Sequence, residues 1–173
     1  MAYGLLDGRD TVHLYRHDVE SLFYIVLILA AHYEVEAPTE KQRGGLRMRR
    51  GLEKLPYQVW FDQSSYEILA SLKHFFISDI QDLNLSPTFE DFRDWLTNIH
   101  ASFALGFQAK RQHSLNQRTR QQLLRPGQAK GKVKPTAFDD ETLGGYITYS
   151  TLIGSPTGKL TGLVIRYVPP VFD

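Results

Sequence analysis

The chain has 173 residues, 42% hydrophobic and 12% aromatic, with 20 Lys and Arg against 19 Asp and Glu, a net charge of +1 and no Cys. That length suits one domain around one core, and the composition excludes a wholly disordered, collagen-like or coiled-coil chain. The absence of Cys excludes disulfides, thiolate nucleophiles and Cys-ligated zinc or iron–sulfur centres, and it fits a reducing compartment.

Residues 1–10 show no basic leader followed by an apolar core, so an intracellular location, cytoplasmic or nuclear, is expected. The longest strictly apolar run, 22–31, is about half of what crosses a bilayer, and no membrane partner is expected. Asp18 is placed to cap a helix whose body, 19–31, is apolar on every face apart from Glu20 and Ser21. Such a helix belongs in the middle of a fold. The polar run 34–54, with Pro38 and three Gly, reads as a long loop. Ser64 and Glu67 have capping-box spacing, and Ile68, Leu69, Leu72, Phe75 and Phe76 follow at helical intervals, which predicts an amphipathic helix over 65–77. A further helix is expected from Pro87, with Phe89, Phe92, Leu96, Ile99, Phe103 and Phe107 as its apolar stripe and an end near Lys110.

Residues 112–134 are rich in Gln, Arg and Lys and poor in apolar side chains, the pattern of a flexible segment, within which 115–124 can form a surface helix. After Gly144 and Gly145 come the segment 146–152 and the β-prone run 163–168, which ends at Pro169 and Pro170. The expected organisation is a mainly α core over 1–110, a basic flexible segment over 111–137, and an irregular extension with short β-prone runs over 138–173.

Between Trp95 and Phe138 there is no Asp or Glu, while Lys110, Arg111, Arg118, Arg120, Arg125, Lys130, Lys132 and Lys134 leave the rest of the chain at −7. A second basic cluster, Lys41, Arg43, Arg47, Arg49, Arg50 and Lys54, surrounds Gly44, Gly45 and Gly51. Such segments can meet phosphates or an acidic protein, although no aromatic residue stands among the basic residues 110–134 to stack on bases.

Catalytic readings of single motifs fail on spacing. Arg16-His17-Asp18 resembles a kinase catalytic loop, but the residue five after Asp18 is Phe23 where Asn is needed, so a capping Asp is the reading preferred. His13 and His17 have the four-residue spacing of zinc ligands, but Leu14 stands where the general-base Glu belongs, and two partly exposed histidines are expected. Asp139-Asp140-Glu141 reads as a solvated turn before a cation site. Neither a P-loop nor a dinucleotide-binding glycine motif is present.

Taken as a block, the run from His13 to Tyr24, reading HLYRHDVESLFY, closely resembles the signature that opens the central buried helix in the large lobe of the fungal-type protein kinase family. The first six residues, MAYGLL, resemble the segment closing the activation region. The likeness extends through Trp60 and the helix over 66–76, and FDDETLGG at 138–145 resembles the C-terminal extension of basidiomycete members. The resemblance implies a partial kinase-like C-lobe, with Tyr15, Arg16, His17, Asp18, Glu20 and Ser21 as a structural signature. Asp18 would hold the backbone of the catalytic loop from below. Gly4 stands where the family has a Glu, so the ion pair made there with a large-lobe Arg is not available.

Family activity is ATP-dependent phosphoryl transfer to protein Ser or Thr, with ATP and magnesium in a full-length member. The Gly-rich loop, strand Lys, helix Glu, catalytic Asp and Asn and magnesium-binding Asp cannot be assigned to residues here. The chain by itself is therefore expected to be a truncated, inactive piece with no catalytic, cofactor or metal residue of its own. The competing reading is a non-enzymatic interaction module that binds an acidic partner or nucleic acid through Arg47, Arg49, Arg50, Lys110, Arg111, Arg118 and Arg120. Without a catalytic loop and activation segment over its Asp18 end, the central helix should expose apolar surface and lead to marginal stability or self-association.

Overall fold

The structure, a computed structural model, describes residues 2–6, 12–36, 44–49, 54–79, 82–123 and 137–153. It is mainly helical: α1 (Tyr3–Leu6), α2 (Tyr15–His32), α3 (Tyr66–Ser78), α4 (Arg93–Leu123) and α5 (Tyr149–Ile153), with the short strands β1 (Tyr33–Val35) and β2 (Leu46–Met48). No described helix is long and apolar enough to cross a membrane.

The expected buried helix is α2, and it supplies Val19, Phe23, Tyr24, Leu27 and Ala30 to the core. Its start differs from the expectation. The N-cap is Leu14, in extended backbone at φ −116° and ψ 154°, and Asp18 lies a full turn inside the helix. Leu14 has no side-chain acceptor to offer, so the cap is built in reverse: its own N–H donates to Nδ1 of His17 at 3.0 Å.

The loop expected over 34–54 begins and ends in a two-stranded antiparallel ribbon with the register Tyr33↔Met48, Glu34↔Arg47 and Val35↔Leu46. Three residues a side would not hold such a ribbon alone. It is anchored by Arg49, whose N–H donates to His32 O at 2.8 Å and whose Nη1 donates to Ala31 O at 3.0 Å. Ser86 Oγ donates to Tyr33 O at 2.7 Å. Arg47 sits between Glu36 at 2.8 Å and Glu34 at 3.4 Å.

Helix α3 is capped by Ser65, one residue later than the box spacing indicates: its Oγ accepts the Ile68 N–H at 3.4 Å and donates to Glu67 at 3.1 Å. Pro87 opens a 3-10 turn, Pro87–Phe92, and the α-helix proper begins at Arg93. Leu96, Ile99 and Phe103 are buried, and Phe89, Phe92 and Phe107 pack at the margin of the core.

The end expected near Lys110 is overturned, because α4 continues to Leu123 and absorbs the surface helix expected beyond residue 115. Gln, Lys, Arg and Leu are good helix formers, so the composition that reads as flexible from its polarity is also a strong helical one. Gln112 to Asn116 at 3.0 Å and Gln117 to His113 at 2.8 Å bridge successive turns. Outside contacts help, since Lys110 pairs with Asp140 at 2.8 Å and the His113 ring lies 5.4 Å from Phe138.

Residues 137–153 lie along α4 and join the same core. Leu143 and Ile147 are fully buried, and Trp95 Nε1 donates to Leu152 O at 2.6 Å. The stretch 146–152 is not a strand: Thr148 Oγ1 accepts the Thr151 N–H at 3.2 Å and starts α5. The β-prone run 163–168 lies outside the described residues. Phe23 sits at the centre of the core, with ring neighbours Phe103 at 5.9 Å, His100 at 6.1 Å and Phe76 at 6.3 Å.

Leu143 has a left-handed φ of 51°, which a branched side chain adopts only when its surroundings compensate. The compensation is a seat over Gly106, where an added Cβ would stand 2.8 Å from Leu143 Cβ. Alanine normally improves a helix interior over glycine by about 1 kcal/mol. Gly106→Ala is nevertheless predicted to lower stability by about 1–3 kcal/mol through overpacking, measured by urea unfolding. A stabilised variant would show that Leu143 is not seated there.

Candidate functional site

The residues singled out in sequence gather at the N-terminal end of α2. Helical spacing sends Arg16, Glu20 and Phe23 inward and Tyr15, Asp18 and Leu22 outward, and the packing follows it. Arg16, His17 and Glu20 are fully buried, Ser21 is half-buried, and Tyr15 and Asp18 are exposed.

Glu20 is the hub. Its Oε1 accepts the Tyr3 N–H at 2.7 Å and the Tyr24 hydroxyl at 2.8 Å, so the carboxylate ties α1 to α2. Lys73 approaches from α3, with Nζ 4.1 Å from the centre of the Tyr24 ring and 5.7 Å from that of Trp60. A cation over aromatic faces in a dry site is a favourable placement. Burial raises the Glu20 pKa above its ordinary value, against the pull of the Tyr3 N–H, the Tyr24 hydroxyl, Lys73 and Arg16. Burial likewise lowers the pKa of Lys73, opposed by Glu20, and raises that of Tyr24, reinforced by Glu20. The Arg16 guanidinium lies 5.8 Å from the centre of the Phe107 ring on α4.

The outer rim of this end is polar. Tyr15 N–H, one of the first-turn amides a helix leaves without an internal partner, donates to Glu141 at 2.8 Å across 126 residues of sequence. Asp18 is paired with His13 at 3.3 Å, its side chain 72% exposed. The expectation of two partly exposed histidines is half overturned. His13 is exposed, but His17 is buried with Nδ1 engaged by the Leu14 N–H, and the two rings meet edge to face at 5.6 Å. Asp139 is a turn residue: it accepts from the N–H groups of Glu141 at 3.0 Å and Thr142 at 3.3 Å and from the Thr142 hydroxyl. The Thr142 hydroxyl is the main cause holding its carboxyl below the ordinary value. Among the described residues no three His, Asp or Glu side chains are grouped as a metal site.

The basic residues do not form one surface. Arg47 and Lys110 are ion-paired within the chain, Arg49 bonds a carbonyl, and Arg50 lies outside the described residues. Arg111, Arg118 and Arg120 are exposed on α4. At about 100° per residue, Arg111 and Arg118 share a side and Arg120 faces nearly opposite.

Sequence reasoning missed Lys73, and it named Glu141 in an acidic turn without its bond to Tyr15. Lys73 had a signal, since it occupies an inward position of the apolar pattern Leu69, Leu72, Phe76. The bond of Glu141 had no local signal, because its partner is a backbone amide far away in sequence. Glu20, Lys73 and Tyr24 are buried together, with Glu20 holding the Tyr3 backbone N–H and the Tyr24 hydroxyl. Comparison with protein-family models, curated proteins and solved structures finds no match for the chain.

Two titrating groups give predictions of opposite sign. Glu20→Ala removes the acceptor of the buried Tyr24 hydroxyl and Tyr3 N–H bonds and the charge facing Lys73, and is expected to cost about 3 kcal/mol, whereas Glu20→Gln keeps an acceptor and costs less. A raised folded-state pKa means that the carboxyl favours folding most below about 4.5 and loses that contribution as pH rises through the folded value. The difference in stability between wild type and Glu20→Gln, followed by denaturant titration from pH 4 upward, should therefore shift against wild type. His100 behaves oppositely. Fully buried, with Nε2 2.7 Å from Phe76 O, it has a pKa lowered by burial. Its contribution is present above the unfolded value of about 6.5 and falls as pH drops toward the folded value, and His100→Gln should flatten that loss. An unchanged pH profile in His100→Gln would count against this assignment.

Proposed function

We propose that the chain is the helical, non-catalytic portion of a fungal-type protein kinase lobe, a scaffold for a catalytic loop rather than an enzyme in itself. One observation carries the reading. Of three stretches that separately resemble the family, 1–6 and 13–24 are near neighbours in sequence and 138–145 lies more than a hundred residues on, yet described residues of all three meet at the N-terminal end of α2. Tyr3 N–H reaches Glu20 at 2.7 Å, and Glu141 reaches Tyr15 N–H at 2.8 Å.

The position of Asp18 fits the same role. It is not consumed in capping its own helix. Its side chain is exposed, one turn above the helix start, and pairs with His13. A carboxylate so placed can accept amides from a loop laid across that end, which is the family role of the matching residue. The residues that would bind ATP and magnesium in a kinase are not assigned in this chain.

Incubation of the purified chain with ATP, magnesium and a generic protein substrate is predicted to give no phosphoryl transfer above a buffer control, and calorimetry no micromolar nucleotide binding. Phosphorylation in that assay would sink the proposal.

A further inference from the structure

The second half of α4 stands clear of the core. From Ser114 to Arg120 every residue except Gln117 is exposed, and no Asp or Glu stands between Trp95 and Phe138 to offset Arg111, Arg118 and Arg120. The segment 137–153 meets this part of the helix at Gly106, Lys110 and His113, which share one side. At about 100° per residue, the opposite side is the line Gln108, Gln112, Leu115, Thr119 and Gln122, all of them exposed. Arg111 and Arg118 flank that line on one side, and Arg120 lies beyond it on the other.

We propose that this line is a recognition face for duplex DNA, with α4 lying in the major groove, its amide and hydroxyl side chains toward the base edges and its arginines toward the phosphates. Width fits, since a helix with its side chains is about 10–12 Å across and the major groove about 12 Å. The division of charge fits too. Arginines on two sides of one helix make a poor flat patch, but a groove has a phosphate strand on each wall. Gln and Thr side chains can bond base edges, and an apolar side chain such as Leu115 can meet a thymine methyl.

Other polyanions fit less well. No Phe, Tyr or Trp stands on α4 beyond Phe107, so single strands have no ring on which to stack. The major groove of duplex RNA is too narrow for side chains to read. An acidic protein would find one apolar side chain on this face, Leu115, around which to build a dry contact. The inference uses the outer side of α4 and none of the residues on which the kinase reading rests.

The test follows the fluorescence anisotropy of a labelled DNA duplex of about 20 base pairs as the full chain is added. A dissociation constant on the order of 1–10 μM is expected at about 50 mM salt, and three phosphate contacts should weaken it about 40-fold by about 200 mM. Arg111→Gln, Arg118→Gln and Arg120→Gln together keep helix propensity and should reduce the salt slope by about 2.7. Asn116→Pro keeps every charge but breaks the helix, and it should weaken duplex binding about tenfold or more. Lys54→Gln, a charge removed elsewhere, should change binding by less than about twofold. Arg125, Lys130, Lys132 and Lys134, outside the described residues, are unchanged in every variant and cannot account for these losses. Absence of duplex binding at the lower salt overturns the proposal, as does a slope that the triple Gln variant leaves unmoved. Full binding by Asn116→Pro overturns it by showing that charge acts without the helix. Tighter binding of single-stranded DNA, duplex RNA or polyglutamate than of duplex DNA would assign the surface to that partner and overturn it too.

Discussion

The fold turns on the cost of burying one carboxylate. Glu20 sits on the inward side of an otherwise apolar helix, and a charge there is tolerated only if donors and an opposite charge are brought to it. The chain brings them from three elements: a backbone amide from α1, a hydroxyl one turn along α2, and the Lys73 ammonium from α3. A helix of four residues such as α1 has almost no stability of its own. Its place is fixed by that amide and by Tyr3 and Leu6 packing against Ala70. The carboxylate thus decides where the first element of the chain rests, a specificity that an aliphatic residue at position 20 would not provide.

The other end of the same problem is the helix start. Leu14 cannot cap, and the amides it leaves are met from two directions, by the His17 ring folding back and by Glu141 arriving from the C-terminal segment. That arrival depends on contacts along α4. Asp140 meets Lys110, Phe138 meets His113, and Leu143 drops onto Gly106 in a backbone conformation it would not choose alone. Residues 137–153 are therefore part of the core construction of α2 as well as of α4, and the removal of side-chain volume at position 106 is what makes the approach close enough.

Where the amino-acid pattern was sufficient, the reason is local. The apolar run 19–31 does form a helix that supplies the core, although Leu22, Ile25 and Leu29 on its outer side stay about half exposed, and the inward spacing of Leu96, Ile99 and Phe103 is one stripe of another. Where it was insufficient, the deciding partner lay elsewhere in the chain. Asp18 reads as a cap because it is a capping residue in front of an apolar run, and nothing local says that the helix begins a turn earlier on a histidine. The polar residues after Lys110 read as flexible because they lack apolar spacing, although their helix propensity is high and Asp140 and Phe138 come back to meet them. The strands at 33–35 and 46–48 are too short for any periodicity to show, and they exist because Arg49 and Ser86 tie them down.

The same distinction bears on function. A capping Asp is used up by its own helix, and a kinase-type Asp must be available to another segment, so the displacement of the cap from Asp18 to Leu14 is what makes the second role open to it. Outward from Asp18 runs the apolar line of Tyr15, Leu22, Ile25 and Leu29, while inward lie the buried arginine, histidine and glutamate of the same signature. One helix thus carries two different sides: an interior side with buried polar groups, of which Glu20 is met by the Tyr3 N–H and the Tyr24 hydroxyl, and an exterior side with half-exposed apolar groups. Hydrophobic surface of that regular spacing is stabilised by contact and destabilised by water.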